Sequence, residues 1–194
     1  MSLNSPLNRR LRMALLGGGG TGFIGKVHRT AATLDGRVDL VAGAFSSNTD
    51  RSGEAAVDFG VDPTRAFASF EDLLDDERSR PPDERVDFVS IATPNWLHFP
   101  MAKAVLDAGF HVMCDKPLTT SVSDAEELVR LVEEAGQVFG LTHNYTGYPL
   151  VRQAREISAS GAPGEIRAVR LNDTLGLMQF TNTVATPPLV AWEG

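Results

Sequence analysis

Short apolar runs alternate with stretches in which apolar positions recur every three or four residues, from about residue 11 to residue 141. Leu11 to Leu16, Val38 to Phe45, Val86 to Ala92, Phe110 to Cys114 and Val138 to Leu141 read as strands, and Arg65 to Phe67 as a shorter one. The Val86 run carries no polar face beyond Ser90. Helices are expected over Phe23 to Leu34, Thr49 to Phe59 (capped by Asn48 or Thr49), Phe70 to Asp76 after Ser69, and Trp96 to Ala108 closed by Gly109. Ser121 to Ala135 is the most regular helix. Ala125, Leu128, Val129, Val132 and Ala135 fall on one face, Ser123 and Glu126 are spaced as a capping box, and Gly136 follows as the C-cap. The charged, Pro-containing segment "DDERSRPPDER" is expected to be a surface loop. Apolar strands separated by amphipathic helices predict an α/β fold, a doubly wound parallel sheet covered on both faces.

Past about residue 145 the pattern changes. One more helix, a glycine-marked turn and a strand alternating through Arg167, Val169 and Leu171 are expected. Residues 172–194 show neither period, and are expected to be poorly packed or paired with another copy of the chain. The expected organisation is a first domain over 10–144 and the beginning of a second, α+β domain over 145–194.

Composition narrows the partners. The chain has 194 residues, 42% hydrophobic and 22% charged, with a net charge of −7. An acidic balance argues against nucleic acid. The Arg9-Arg10-Leu11-Arg12 cluster is expected to be a solvated N-terminal segment. No apolar run approaches the roughly 20 residues of a membrane span. Cys114 is the single cysteine, so no internal disulfide forms, and a cytoplasmic location is the expectation. Within its strand, Cys114 is expected to serve as a small core hydrophobe. No His/Cys cluster has metal-ligand spacing, so no metal is expected.

The stretch "MALLGGGGTGFIGKVH" places a glycine run between the first strand and the first helix. There a Gly-rich turn lets backbone approach a pyrophosphate, with the helix N-terminal amides facing the anion. Two frames fit G-x-G-x-x-G: Gly17, Gly19, Gly22 and Gly20, Gly22, Gly25. Phe23 and Ile24 open the helix beside them. A tight turn without ligand is the bland alternative. The acid that would hold a ribose hydroxyl at the end of the second strand is absent; Ser46, Ser47 and Asn48 stand there, with Arg51 close behind. Two hydroxyls and a guanidinium suit a 2′-phosphate, which tilts the choice within NAD(P) toward NADP. These residues equally turn a chain and cap a helix.

From Val89 to Leu118 the chain reads "VSIATPNWLHFPMAKAVLDAGFHVMCDKPL". Thr93-Pro94-Asn95 with His98, then Asp115-Lys116-Pro117, then His143-Asn144-Tyr145 and Gly164-Glu165-Ile166, resemble in order and spacing the Gfo/Idh/MocA family of NAD(P)-dependent sugar and polyol oxidoreductases. The resemblance covers residues 11 to about 171. It implies a Rossmann nucleotide-binding domain and a small sugar or polyol substrate. It places Lys116 near the nicotinamide, bonded to the reacting oxygen, where an ammonium stabilises alkoxide charge or shuttles a proton. It also implies a frequent cis peptide before Pro117, which would aim the lysine into the cleft. Thr93, Pro94, Asn95, Asp115 and Asn144 would border the cofactor, and Tyr145 the substrate. His98 would bond the pyrophosphate or hold the helix start. Asp115 stands where the family more usually has glutamate, and the glycine loop is about three residues longer than its usual form.

Family members carry a second, mostly antiparallel domain that forms the oligomer interface and supplies an Asp-x-x-x-His pair. After Leu171 this chain has no histidine and only Asp173 among aspartates. The expectation is therefore an oxidoreductase, homo-oligomeric when whole. The alternative is a nucleotide-binding module without turnover, or a truncated remnant. A methyltransferase-like domain on the same sheet would leave Asp115-Lys116-Pro117 unexplained.

Overall fold

The computed structural model describes residues 9–20 and 22–168. The chain divides into two compact units, the first ending at Tyr145 and the second beginning at Thr146. The expected strand through Val169 and Leu171, and the expectation for residues 172–194, lie outside the described residues.

Five parallel strands form one sheet: β1 (Leu11–Gly17), β2 (Val38–Ala44), β3 (Phe88–Ala92), β4 (His111–Cys114) and β5 (Phe139–Leu141), in the order β2-β1-β3-β4-β5. Met13 to Leu16 of β1 are almost wholly buried. Successive side chains on a strand point to opposite faces. Ala14 and Leu16 accordingly join one core with Ile91, Val105 and Leu128, whereas Leu15 joins a second with Phe45, Ala56 and Phe59. A strand buried on both faces must be apolar throughout, which is why β1 shows no alternation. Helices α1 (Phe23–Thr33), α2 (Thr49–Phe59), α3 (Phe70–Ser79), α4 (His98–Asp107) and α5 (Val122–Ala135) supply the covering layers.

Several expectations are corrected. Arg65 to Phe67 makes no strand: Pro63–Arg65 is a 3-10 turn, and a single bridge pairs Ala66 with Gly43. The helix after Ser69 runs to Ser79, three residues beyond Asp76, so half of the supposed charged loop is helical. Buried Glu77 explains the extension. Its carboxylate meets Arg65 and accepts the Val86 N–H at 2.8 Å, so a charged residue serves as an interior anchor. The cap of α5 is Ser121, whose hydroxyl accepts the Asp124 N–H at 3.1 Å; Ser123 lies inside the helix. Val129 is half exposed rather than part of the buried face. The arginine cluster is not merely solvated. Arg9 holds both oxygens of Asp87, at 2.7 and 2.8 Å, and Arg12 donates to the carbonyls of Arg85 and Pro82. It ties the Pro81–Pro82 loop to the N-terminal edge of the sheet.

In the second unit, helix α6 (Pro149–Ala159) begins with Pro149 in its first turn and ends at the C-cap Ser160, with Gly161 following at positive φ. Among the described residues no helix is long and apolar enough to cross a membrane.

Candidate functional site

Strand register gathers the candidate residues on one edge. Gly17 pairs with Ala92, Ile91 with Cys114, and Cys114 with Leu141. The glycine loop, Thr93, Asp115-Lys116 and Thr142 therefore all leave the sheet at its carboxyl end. The chain departs to β2 on one side of β1 and to β3 on the other, so the loop and Thr93 flank the topological switch point, where such sheets bind ligands.

The glycine loop is a close-packed backbone. A Cβ on Gly17 would lie 2.7 Å from the Ala92 carbonyl oxygen, one on Gly19 2.7 Å from that of Phe45, and one on Gly22 2.9 Å from Gly18 Cα. A Cβ on Gly25 would lie 2.4 Å from Gly18 Cα, while beside Gly20 there is open space. The frame Gly17, Gly19, Gly22 is thus the one in which all three glycines meet backbone. Gly17, Gly18 and Gly20 also take positive φ. The Gly19 N–H donates to Phe45 O at 3.1 Å, binding the loop to the end of β2. Helix α1 begins at Phe23 with Gly22 as its N-cap, no capping side chain and no acid in its first turn. The positive helix end beside Phe23, Ile24 and Gly25 carries no competing carboxylate, and the tight glycine packing leaves backbone where side chains would stand. Both fit a diphosphate.

At the end of β2, Ser46 Oγ accepts the Asn48 N–H at 3.2 Å and Asn48 Oδ1 accepts the Arg51 N–H at 3.0 Å. Asn48 is the cap of α2. Ser47 and Arg51 are exposed, and the Arg51 guanidinium makes no ion pair among the described residues.

Two buried histidines tie the strand tips together. His98, fully buried, places Nδ1 2.7 Å from Pro117 O and Nε2 3.0 Å from Thr93 O. Both partners are acceptors, and the ring donates to both at once only as imidazolium. Its nitrogens are thus committed to the turns after β3 and β4. His28, on α1, sets Nδ1 2.8 Å from Ser90 Oγ and Nε2 3.5 Å from Asp115 Oδ1. Thr142 Oγ1 donates to that same Asp115 oxygen at 2.6 Å. Asp115 is therefore turned into the sheet edge, its side chain only 13% exposed. Ser90, His28 and Asp115 match the residue types of a hydrolytic triad, but Ser90 is buried within β3, away from any substrate.

Pro94 and Asn95 are exposed; Asn95 opens the 3-10 turn Asn95–Leu97 that leads into α4, and Thr93 Oγ1 contacts Met101 Sδ at 3.5 Å. Lys116 is exposed, without an ion pair among the described residues, and its peptide bond to Pro117 is cis. Asn144 and Tyr145 lie exposed in the 3-10 turn Asn144–Gly147 beyond β5. Cys114 is buried, and burial first, then the Asp115 carboxylate, push its thiol up to about 12. It is inert at neutral pH. Among the described residues no three His, Cys, Asp or Glu side chains converge to hold a metal.

Sequence reasoning missed His28, Ser90 and Thr142 as site-edge residues. The signals were a lone polar residue in an apolar strand and a histidine three positions after the buried Gly25.

The family model described as "Oxidoreductase family, NAD-binding Rossmann fold" matches residues 12–143. The uncharacterized oxidoreductase YfiI of Bacillus subtilis (strain 168) is 35% identical over 179 residues, 91% of this chain and 45% of that protein. UDP-N-acetylglucosamine 3-dehydrogenase of Acidithiobacillus ferrooxidans is 31% identical over 152 residues, 78% of this chain and 44% of that protein. The crystal structure of an inositol dehydrogenase homolog from Azotobacter vinelandii, complexed with NADH and myo-inositol, superposes with a TM-score of 0.78 at 42% identity, covering 82% of this chain and 41% of that one. The chain spans less than half the length of each of these relatives. With the parallel sheet, the glycine loop at its switch point and these matches together, the chain belongs to the GFO_IDH_MocA oxidoreductase family, of which it carries the NAD-binding Rossmann fold.

Proposed function

We propose that this chain is the nucleotide-binding part of an NAD(P)-dependent oxidoreductase acting on a sugar, polyol or related small hydroxyl or carbonyl compound. The observation that carries the reading is the shared strand register, by which the glycine loop and Thr93 flank the switch point and Lys116 leaves the same edge one strand further on. The amides of Phe23 to Gly25 in the first turn of α1 hold the diphosphate, the Gly22 N–H being donated to Gly19 O, and Thr93, Pro94, Asn95 and Asn144 border the nicotinamide half. When bound, the cofactor supplies the hydride acceptor or donor. Lys116 donates a hydrogen bond to the reacting oxygen of substrate and stabilises negative charge developing there. Tyr145 borders the substrate. The solved relative that holds both NADH and myo-inositol supports a polyhydroxyl substrate class. A cytoplasmic, homo-oligomeric setting goes with this reading.

Within NAD(P) the reading favours NADP. Ser46 accepts the Asn48 N–H and keeps its own O–H to donate, and with Ser47 and Arg51, whose guanidinium makes no ion pair among the described residues, it can meet a 2′-phosphate. Titration of intrinsic fluorescence with NADPH and NADH tests this. NADPH is expected to bind several-fold tighter, and Arg51→Ala to remove the difference; equal affinities for the native chain refute the preference.

The lysines give a direct test of the site. The chain has three, Lys26, Lys103 and Lys116. Reductive [13C]methylation yields three lysine signals, assigned by Lys→Arg substitution. Cofactor is expected to shift the Lys116 signal and leave that of Lys103, which pairs with Asp107 at 3.4 Å, in place. A Lys116 signal indifferent to both cofactors sinks the assignment. Binding without turnover over a panel of polyols supports a binding module instead.

A further inference from the structure

Lys116 is exposed, yet the backbone on both sides of it is held from the interior. On its N-terminal side, the Asp115 N–H donates to Ile91 O at 2.9 Å and the Asp115 carboxylate accepts from Thr142 at 2.6 Å, with His28 Nε2 at 3.5 Å. On its C-terminal side, Pro117 O faces His98 Nδ1 at 2.7 Å. The two histidines come from helices on opposite sides of the switch point, α1 and α4, and both are buried. Each is oriented by a second bond at the strand tips: His28 by Ser90 at 2.8 Å, His98 by Thr93 O at 3.0 Å. A hydroxyl donating to Nδ1 leaves the Nε2 proton of His28 directed at Asp115. A polar group placed in the interior without partners costs free energy, which holds each ring to these partners.

We propose that His28 and His98 are a pair of positioning residues that clamp the Asp115-Lys116-Pro117 turn from either side, so that the lysine emerges from the sheet edge in one orientation. The clamp itself is a property of the free chain. Its use in catalysis rests on the reading of Lys116 given above. His28 acts through Asp115, and His98 through the Pro117 carbonyl; neither touches a reacting atom. The clamp also accounts for an aspartate before the lysine, because its short carboxylate is taken by Thr142 and His28 instead of facing solvent.

Backbone 15N relaxation of the Lys116 amide in the full chain tests the clamp without cofactor. In the native protein this amide is expected to be as ordered as the β4 amides, with an order parameter of about 0.85. His28→Ala and His98→Ala are each expected to lower it toward the flexible range, below about 0.6, with the β1 and β3 amides unchanged. His28→Gln, whose amide offers one acceptor to the Ser90 hydroxyl and an NH2 group to the Asp115 carboxylate, is expected to restore order, whereas His98 faces two carbonyl oxygens and His98→Gln is expected to restore it less. Thr142→Val removes one bond to Asp115 at the sheet edge and keeps the test open if a histidine variant fails to fold; it is expected to give a smaller loss of order. A Lys116 amide equally ordered in all these variants overturns the proposal. The same samples, [13C]methylated and titrated with NADH, separate the two claims. Native Lys116 order lost in the alanine variants, with no native response to NADH or NADPH, would uphold the clamp and sink the functional reading. A native Lys116 response to NADH, with Lys116 order unchanged in the alanine variants, would do the reverse.

Discussion

Asp87 and Cys114 each show how a single side chain is set by its surroundings. Burial opposes the charge on Asp87, but the two bonds from Arg9, the Arg12 N–H and both guanidinium charges outweigh it, so its pKa lies below the usual carboxylate value. The native state then binds fewer protons than the unfolded chain near that value, so the stabilisation is complete above about pH 4 and is lost as pH falls through the lowered pKa. Asp87→Asn is expected to cost about 1–3 kcal/mol at pH 7, by loss of charge-assisted bonds, and to flatten the fall in stability below pH 4. Urea unfolding at pH 7, 5 and 3 measures both; a variant whose losses are equal at all three would refute the linkage. Cys114, its thiol pushed up to about 12, is expected not to react with a thiol reagent in the native chain and to give one equivalent in urea. The place of Cys114 inside a strand was legible from its neighbours. The His28 network was not. Its members stand at positions 28, 90, 115 and 142, and only the strand register brings them together.

Local pattern was sufficient for elements wherever burial and propensity agree. β1 and β3 are apolar because helices cover both faces, and Gly109 and Gly136 take the left-handed conformation expected of glycine after a helix. Pattern failed where a tertiary contact decides. Arg65 to Phe67 is short and partly apolar, but a preceding turn and one bridge replace a strand. α3 outruns its apolar face because Glu77 meets Arg65 and the Val86 N–H. At α5 the Ser123–Glu126 spacing pointed to the wrong serine, because the cap is decided by which hydroxyl meets an orphan N–H, and that is Ser121. The glycines yield the sharpest contrast. Gly25→Ala would set a methyl 2.4 Å from Gly18 Cα, backbone against backbone. It is expected to destabilise the chain by about 1–3 kcal/mol or more and to weaken cofactor binding at least tenfold, by moving α1 off the loop. Gly53, inside α2 with nothing within 4 Å, is the opposite case. Gly53→Ala is expected to stabilise by about 0.5–1 kcal/mol and leave cofactor affinity alone. Thermal unfolding and NADH titration of the two variants check this; equal effects would mean that the loop packing is not what the glycines serve.

On the scale of the whole molecule, the net charge of −7 opposes an anionic cofactor at long range, so affinity has to come from short-range donors at the sheet edge. Salt screens the distant repulsion far more than contacts inside the site. NADH affinity is therefore expected to be flat, or to rise slightly, between about 50 and 300 mM salt, a range that brackets the usual Debye screening. A 2′-phosphate held by exposed Arg51 behaves differently, because an exposed ion pair is weakened by the same salt. The NADPH advantage is expected to shrink across the range, and Arg51→Ala to make the two cofactors respond alike. Saturation has a thermal consequence for the first unit, whose sheet edge is the proposed site. At about one hundred times Kd a ligand adds about 2.7 kcal/mol, which for a domain of this size raises Tm by about 5–10 °C. The two measurements constrain each other, since Kd from titration fixes the Tm rise that must follow. A rise with NADPH that exceeds the rise with NADH at low salt and converges on it at high salt supports both the loop as the diphosphate site and Arg51 as the group that distinguishes the cofactors. Equal rises at every salt concentration would keep the first assignment and remove the second, and no rise with either cofactor would remove both.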